Sequence, residues 1–222
     1  MTKTGEAARP PMDIDADSLL DMLSAKRREI SIAAIVIAAV GGSLILWRQS
    51  NVKKEDNAER AFQTAANSFY SGNFALARTD LQKMVDRYSG TTAGLQGAML
   101  LAQANYNEGK WADGIKVLEA AQKSGSVGPF AASLEALIAI GHADQNKYDE
   151  AAKHAQLAAD KARFPADKDI YRADVARMLA LAGKKEEARK IWAELASRPE
   201  SPVWGEAHVR LGELEAAIAA KN

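Results

Sequence analysis

The chain has 222 residues, with 29 basic and 29 acidic side chains and hence no formal net charge. That balance leaves no electrostatic footprint for nucleic acid. There is no cysteine, which excludes disulfides, thiolate metal sites, a cysteine nucleophile and a lipid-modified N-terminal cysteine. The length accommodates one soluble domain and something small beside it.

Residues 1–29 open as a polar tail with too little apolar content to pack. From Asp13, either Asp17 or Ser18 offers an N-cap, and Leu19, Leu20 and Leu23 share one face. This stretch reads as a short amphipathic helix or as a solvated lead-in to the basic cluster Lys26, Arg27 and Arg28. Residues 30–47 carry no charge over 18 positions, about 27 Å of helix and close to one hydrocarbon core. They read as a transmembrane helix, with Trp47 at the far interface. A cleaved signal peptide competes, but 29 preceding residues are too many for one.

Basic residues stand on both sides of the span, with Arg48, Lys53, Lys54 and Arg60 following it, so their count does not orient it. The tight cluster and the short N-terminal side place the N-terminus in the cytoplasm and export the remainder. Within the span Ala34, Ala38 and Gly42 fall four apart on one face, a spacing that admits a second membrane helix to backbone contact. Residues 48–57 form a polar juncture that continues as helix into the domain at 58–222.

That domain repeats itself every 37 residues. Ala65 leads to Ala102, Ala139 and Ala176; Gly72 to Gly109, Asn146 and Gly183; Phe74 to Trp111, Tyr148 and Lys185; Ala77 to Gly114, Ala151 and Ala188. A period of this size is that of a helical solenoid, whose hairpins cannot bury their own apolar faces and must stack. Small residues let the paired helices cross closely. Gly or Asn ends the first helix in the left-handed conformation, and the aromatic starts the second. The pattern predicts repeats at 58–94, 95–131, 132–168 and 169–202. Their helices are expected at 58–71 and 74–88, 93–108 and 111–123, 129–145 and 148–163, and 167–182 and 185–197, with a break at Pro165. A capping helix follows over 203–220.

These offsets resemble the tetratricopeptide repeat. The resemblance implies an all-α, right-handed solenoid of about four hairpins whose first helices line a concave groove. In the 37-residue register it places Phe62, Phe69, Tyr70, Met99, Gln103, Tyr106, Asn107 and Arg177 at groove-facing columns. Phe62, Phe69 and Met99 fit core between hairpins equally well. Tyr70, Gln103, Tyr106, Asn107 and Arg177 are the protein-binding candidates.

No catalytic constellation stands out. His142, His154 and His208 lack partners at ligand or triad spacing, and the segment GTTAGLQG at 90–97 lacks the Gly-Lys-Ser/Thr ending of a phosphate loop. Neither an enzyme, a cofactor nor a small-molecule substrate is implied. The order of polar tail, basic cluster, single span ending in Trp-Arg and about four hairpins, with ARKIWAEL at 188–195, is similar to the YfgM-like family of bacterial tetratricopeptide proteins. That similarity implies a single-pass inner-membrane protein with a periplasmic repeat domain, partnered by the protein-export channel and periplasmic chaperones. An accessory subunit clamping a larger respiratory or photosynthetic complex is the alternative.

Overall fold

The computed structural model describes residues 27–124 and 127–219. The described residues form α-helices, one short 3-10 turn and no strand. In chain order the α-helices are α1 (Arg27–Tyr70), α2 (Phe74–Tyr88), α3 (Thr92–Asn107), α4 (Trp111–Lys123), α5 (Ala131–Ala143), α6 (Tyr148–Lys161), α7 (Pro165–Leu181), α8 (Lys185–Ala196) and α9 (Trp204–Ala219). The chain divides into two units between Val52 and Lys53.

In the first unit, α1 carries an apolar run whose side chains Ile35, Val36, Ile37, Val40, Leu44, Ile45 and Leu46 are all exposed. The Ser43 hydroxyl donates to the Ala39 carbonyl at 2.7 Å, so its polar group is satisfied within the helix. Ala38 and Gly42 are exposed, and no atom lies within 4 Å of where a Gly42 Cβ would stand. The Ala34 side chain lies outside the described residues, as does the amphipathic helix expected from Asp13.

The second unit is a series of helical hairpins, and their turns show why the register holds. Gly72, Gly109, Asn146 and Gly183 have φ of 78°, 73°, 58° and 81°. The amide after each donates five residues back: Asn73 to Ser68 at 3.0 Å, Lys110 to Asn105 at 2.8 Å, Lys147 to His142 at 3.0 Å and Lys184 to Leu179 at 2.9 Å. This is the Schellman closure, which satisfies carbonyls the ending helix leaves orphaned. Phe74, Trp111, Tyr148 and Lys185 then begin α2, α4, α6 and α8.

Ala65, Ala102, Ala139 and Ala176 are buried, as are Ala77, Gly114, Ala151 and Ala188. The apolar interior forms successive clusters around Leu81 and Leu101, around Leu118, Leu134 and Ile138, and around Trp192 and Leu195. Each is built by neighbouring hairpins, which is the one-dimensional stacking of a repeat protein.

Two expectations need adjustment. The helix expected from 129 to 145 starts as a 3-10 turn, Gly128–Phe130, and its α-helical part is Ala131–Ala143. Pro165 lies within a helix rather than in a break: it is the first residue of α7, where its missing N–H costs nothing, and Phe164 before it is extended. Of the glycines at 90–97, Gly94 and Gly97 serve packing, since a Cβ on Gly94 would stand 2.1 Å from the Tyr88 carbonyl oxygen and one on Gly97 2.5 Å from Met84 Sδ.

Candidate protein-binding groove

α3, α5 and α7 are the first helices of their hairpins, and α3 packs on α5 as well as on its own partner α4. Stepping by 37 along them gives a column in which Tyr70, Asn107, Asp144 and Leu181 are all exposed. Tyr70 is 75% and Leu181 58% exposed. The neighbouring column runs from buried Ala66 through half-buried Gln103 to Ile140, which is 50% exposed, and to Arg177. Ile140 was absent from the expected set although one step of the register from Gln103 lands on it.

Beside these columns α5 and α7 border a groove of about 260 Å³, floored by Ala136, Ala139 and Met178 and edged by Tyr171, Asp144 and Asp174. Burial pushes the Asp174 carboxyl above its usual range, against the pull of Arg177. The groove thus offers apolar surface with a carboxylate rim. An exposed apolar surface of this kind marks an interaction or ligand-binding site.

The other expected groove residues are placed as follows. Asn107 is exposed and its side-chain amide donates to the Gln103 carbonyl at 3.0 Å. Tyr106 is not in the groove: it is 7% exposed, and its hydroxyl donates to the Leu137 carbonyl at 3.1 Å. Its ring takes the space that Cβ atoms on Gly114 and Gly141 would need, at 2.2 Å from Tyr106 Cε1 and 2.4 Å from its Oη. Glycine at those two sites and tyrosine between them are one packing unit. Burial raises the Tyr106 phenol far above its usual value.

Arg177 is half-buried and already occupied. It donates from Nε to Glu206 at 2.9 Å, pairs with Asp174, and lies 5.8 Å over the Trp192 ring. The polar tip that suggested a groove role is therefore satisfied within the fold, where it ties α9 to α7.

The hairpin of α5 and α6 also joins residues that sequence spacing kept apart. The His142 and His154 rings stack at 5.3 Å. His154 Nδ1 lies 2.8 Å from the buried Glu135, which also binds Lys161 and accepts from Gln122 at 3.0 Å. Both pairs are mirror positions about Tyr148, where α6 begins, so the antiparallel hairpin brings them together. Burial pushes Glu135 up, but Lys161 and His154 hold it below the usual carboxylate range. His142 is lowered by burial and then by the neighbouring His154. Among the described residues no group of three or more potential ligands is arranged to hold a metal ion.

A family model for the tetratricopeptide repeat-like domain matches residues 26–201 of the chain. No curated protein matches it significantly. Among solved structures, nearly identical TPR-like repeats from a Podosopora anserina protein designated a putative kinesin light chain superpose with a TM-score of 0.60 at 17% identity, covering 75% of this chain and 89% of that one. A point variant of the same repeats gives a TM-score of 0.60 at 16% identity, covering 75% and 88%. These likenesses show the fold.

Proposed function

This chain belongs to the tetratricopeptide repeat-like domain family, and from that premise we propose that it is a non-catalytic, membrane-anchored scaffold whose groove between α5 and α7 takes a protein partner. The observation that carries the reading is the pair Ile140 and Leu181, two large apolar side chains left exposed on successive first helices, Ile140 lining the groove itself and Leu181 an apolar pocket near the end of α7. Hot spots of protein recognition are built on such surfaces.

Anchoring is supported by α1, which among the described residues is a helix long and apolar enough by length and composition to cross a membrane. An exposed run of Ile, Val and Leu in water has no compensating contact, whereas in lipid it is solvated. The internally satisfied Ser43 hydroxyl suits that setting. The order of elements supports a repeat domain on the periplasmic face of a bacterial inner membrane, serving clients at the protein-export channel.

The test is purification from membranes in mild detergent, followed by mass spectrometry of what accompanies the chain. Export-channel and chaperone components are expected with the wild type and lost with Ile140→Arg plus Leu181→Arg, at unchanged helical circular dichroism. An unchanged partner set in that variant overturns the groove assignment, recovery of the wild type in the soluble fraction overturns the anchor, and a fixed respiratory or photosynthetic partner set overturns the export role.

A further inference from the structure

A second, chemically different cleft lies between α2 and α4, with α3 contributing one residue, and it shares none of its lining with the groove between α5 and α7. Its volume is about 680 Å³. Arg78, Lys83 and Lys116 line it together with Asn105, Gln82 and the single carboxylate of Asp113. Three cations line it against one anion, and since Glu108 stands beside Arg78 and Asp80 beside Lys83, Lys116 is the cation left without a carboxylate at ion-pair distance among the described residues.

Those polar groups are under-used. Asn105 is only 4% exposed, and its side-chain amide has no hydrogen bond to the described residues. Its amide atoms are not among the fully buried unpaired polar atoms, so they reach the cleft with their hydrogen-bonding capacity open. Arg78 Nε is buried and lies 3.5 Å from Glu108 without donating a hydrogen bond to it. Glu108 is instead hydrogen-bonded by Lys110, which together with Arg78 holds its carboxyl below the usual range. Lys83 reaches Asp80 only at 3.9 Å, and Lys116 forms no ion pair with the described residues.

We propose that this cleft binds an acidic segment of a protein partner, its Asp or Glu carboxylates meeting Arg78, Lys116 and the Asn105 amide. Carboxylates match guanidinium and amide donors in geometry as well as charge. Lys83 and Lys116 are exposed, so they act at the rim, where opposite charge speeds encounter and selects the partner. Val117 and Ala120 supply an apolar wall for the segment's methylene groups. The scaffold would then hold two kinds of partner, one in each cleft.

Fluorescence anisotropy of a labelled glutamate-rich peptide, titrated with the full chain in non-ionic detergent, tests this. Saturable binding that weakens with salt is expected, reduced roughly tenfold by Lys116→Glu and by Asn105→Leu. Lys190→Glu, an equal charge change at an exposed position of α8, leaves it unchanged. Asn105→Leu alters a buried site, so if that variant unfolds the exposed Lys116→Glu variant decides the outcome. Equal binding by Lys116→Glu, equal binding of a lysine-rich peptide, or displacement by citrate at the same carboxylate concentration overturns the proposal.

Discussion

Between residues 32 and 52, α1 shows its isoleucines, valines, leucines and Trp47 to the outside, whereas in the hairpins the same residue types fill the interior. Trp47 is 65% exposed and Trp192 1%. The chemistry of the side chains is shared, so the difference lies in what surrounds them: in the repeats the neighbouring hairpin removes apolar surface from water. Over this stretch of α1 nothing among the described residues of its unit does so, and the proposed bilayer supplies the missing environment.

The largest expected break of this contrast is at the two tryptophans. Trp192→Ala should cost about 3–5 kcal/mol through lost burial and a cavity, while Trp47→Ala leaves repeat-domain stability unmoved; denaturant unfolding of the full chain in detergent measures both. Comparable losses would show that α1 relies on the repeats for its stability.

Glycines give a second, smaller test. Gly141→Ala pushes a Cβ to 2.4 Å from Tyr106 Oη and 2.8 Å from Ile115 Cγ1, and overpacking of this sort should cost about 1–3 kcal/mol. Gly41→Ala meets no atom within 4 Å, so only helix propensity acts and the change is neutral or slightly stabilising. Thermal melts of the two variants should move in different directions or differ plainly in size.

The smallest effect is the pH response of the α5–α6 hairpin. The folded His142 is held below its usual value of 6.5 by burial, then by His154 and Lys147, with Glu150 and Glu119 opposing. Its neutral form is therefore favoured by folding. That stabilisation is complete above the unfolded value and is lost as pH falls through the folded one. Glu135, also depressed, adds a second loss at more acid pH, below 4.5. His142→Gln should flatten the first decline in melting temperature and leave the second; a slope unchanged by the substitution would remove His142 from the account.

Much of this was legible because it depends on local geometry. A Gly or Asn at the hairpin apex, with an aromatic two residues on, dictates a Schellman turn and the next helix start, and the four turns stand where the register puts them. The groove was only half legible. The 37-residue step reaches Ile140 and Leu181 as readily as Gln103 and Asn107, but residue type alone pointed to polar tips and so to Arg177, which Glu206 and Asp174 already satisfy.

By itself the sequence determined the helical repeat, its apices and the uncharged stretch at 30–47, since each follows from spacing, backbone preference or hydrophobicity along the chain. The tertiary structure alone decided that Tyr106 is core, that Arg177 is a strut, that His142, His154, Glu135 and Lys161 form one cluster, and that Arg78, Lys83 and Lys116 share a cleft. These facts depend on which helices come to lie side by side, and that is set by packing between hairpins rather than by any window of neighbouring residues.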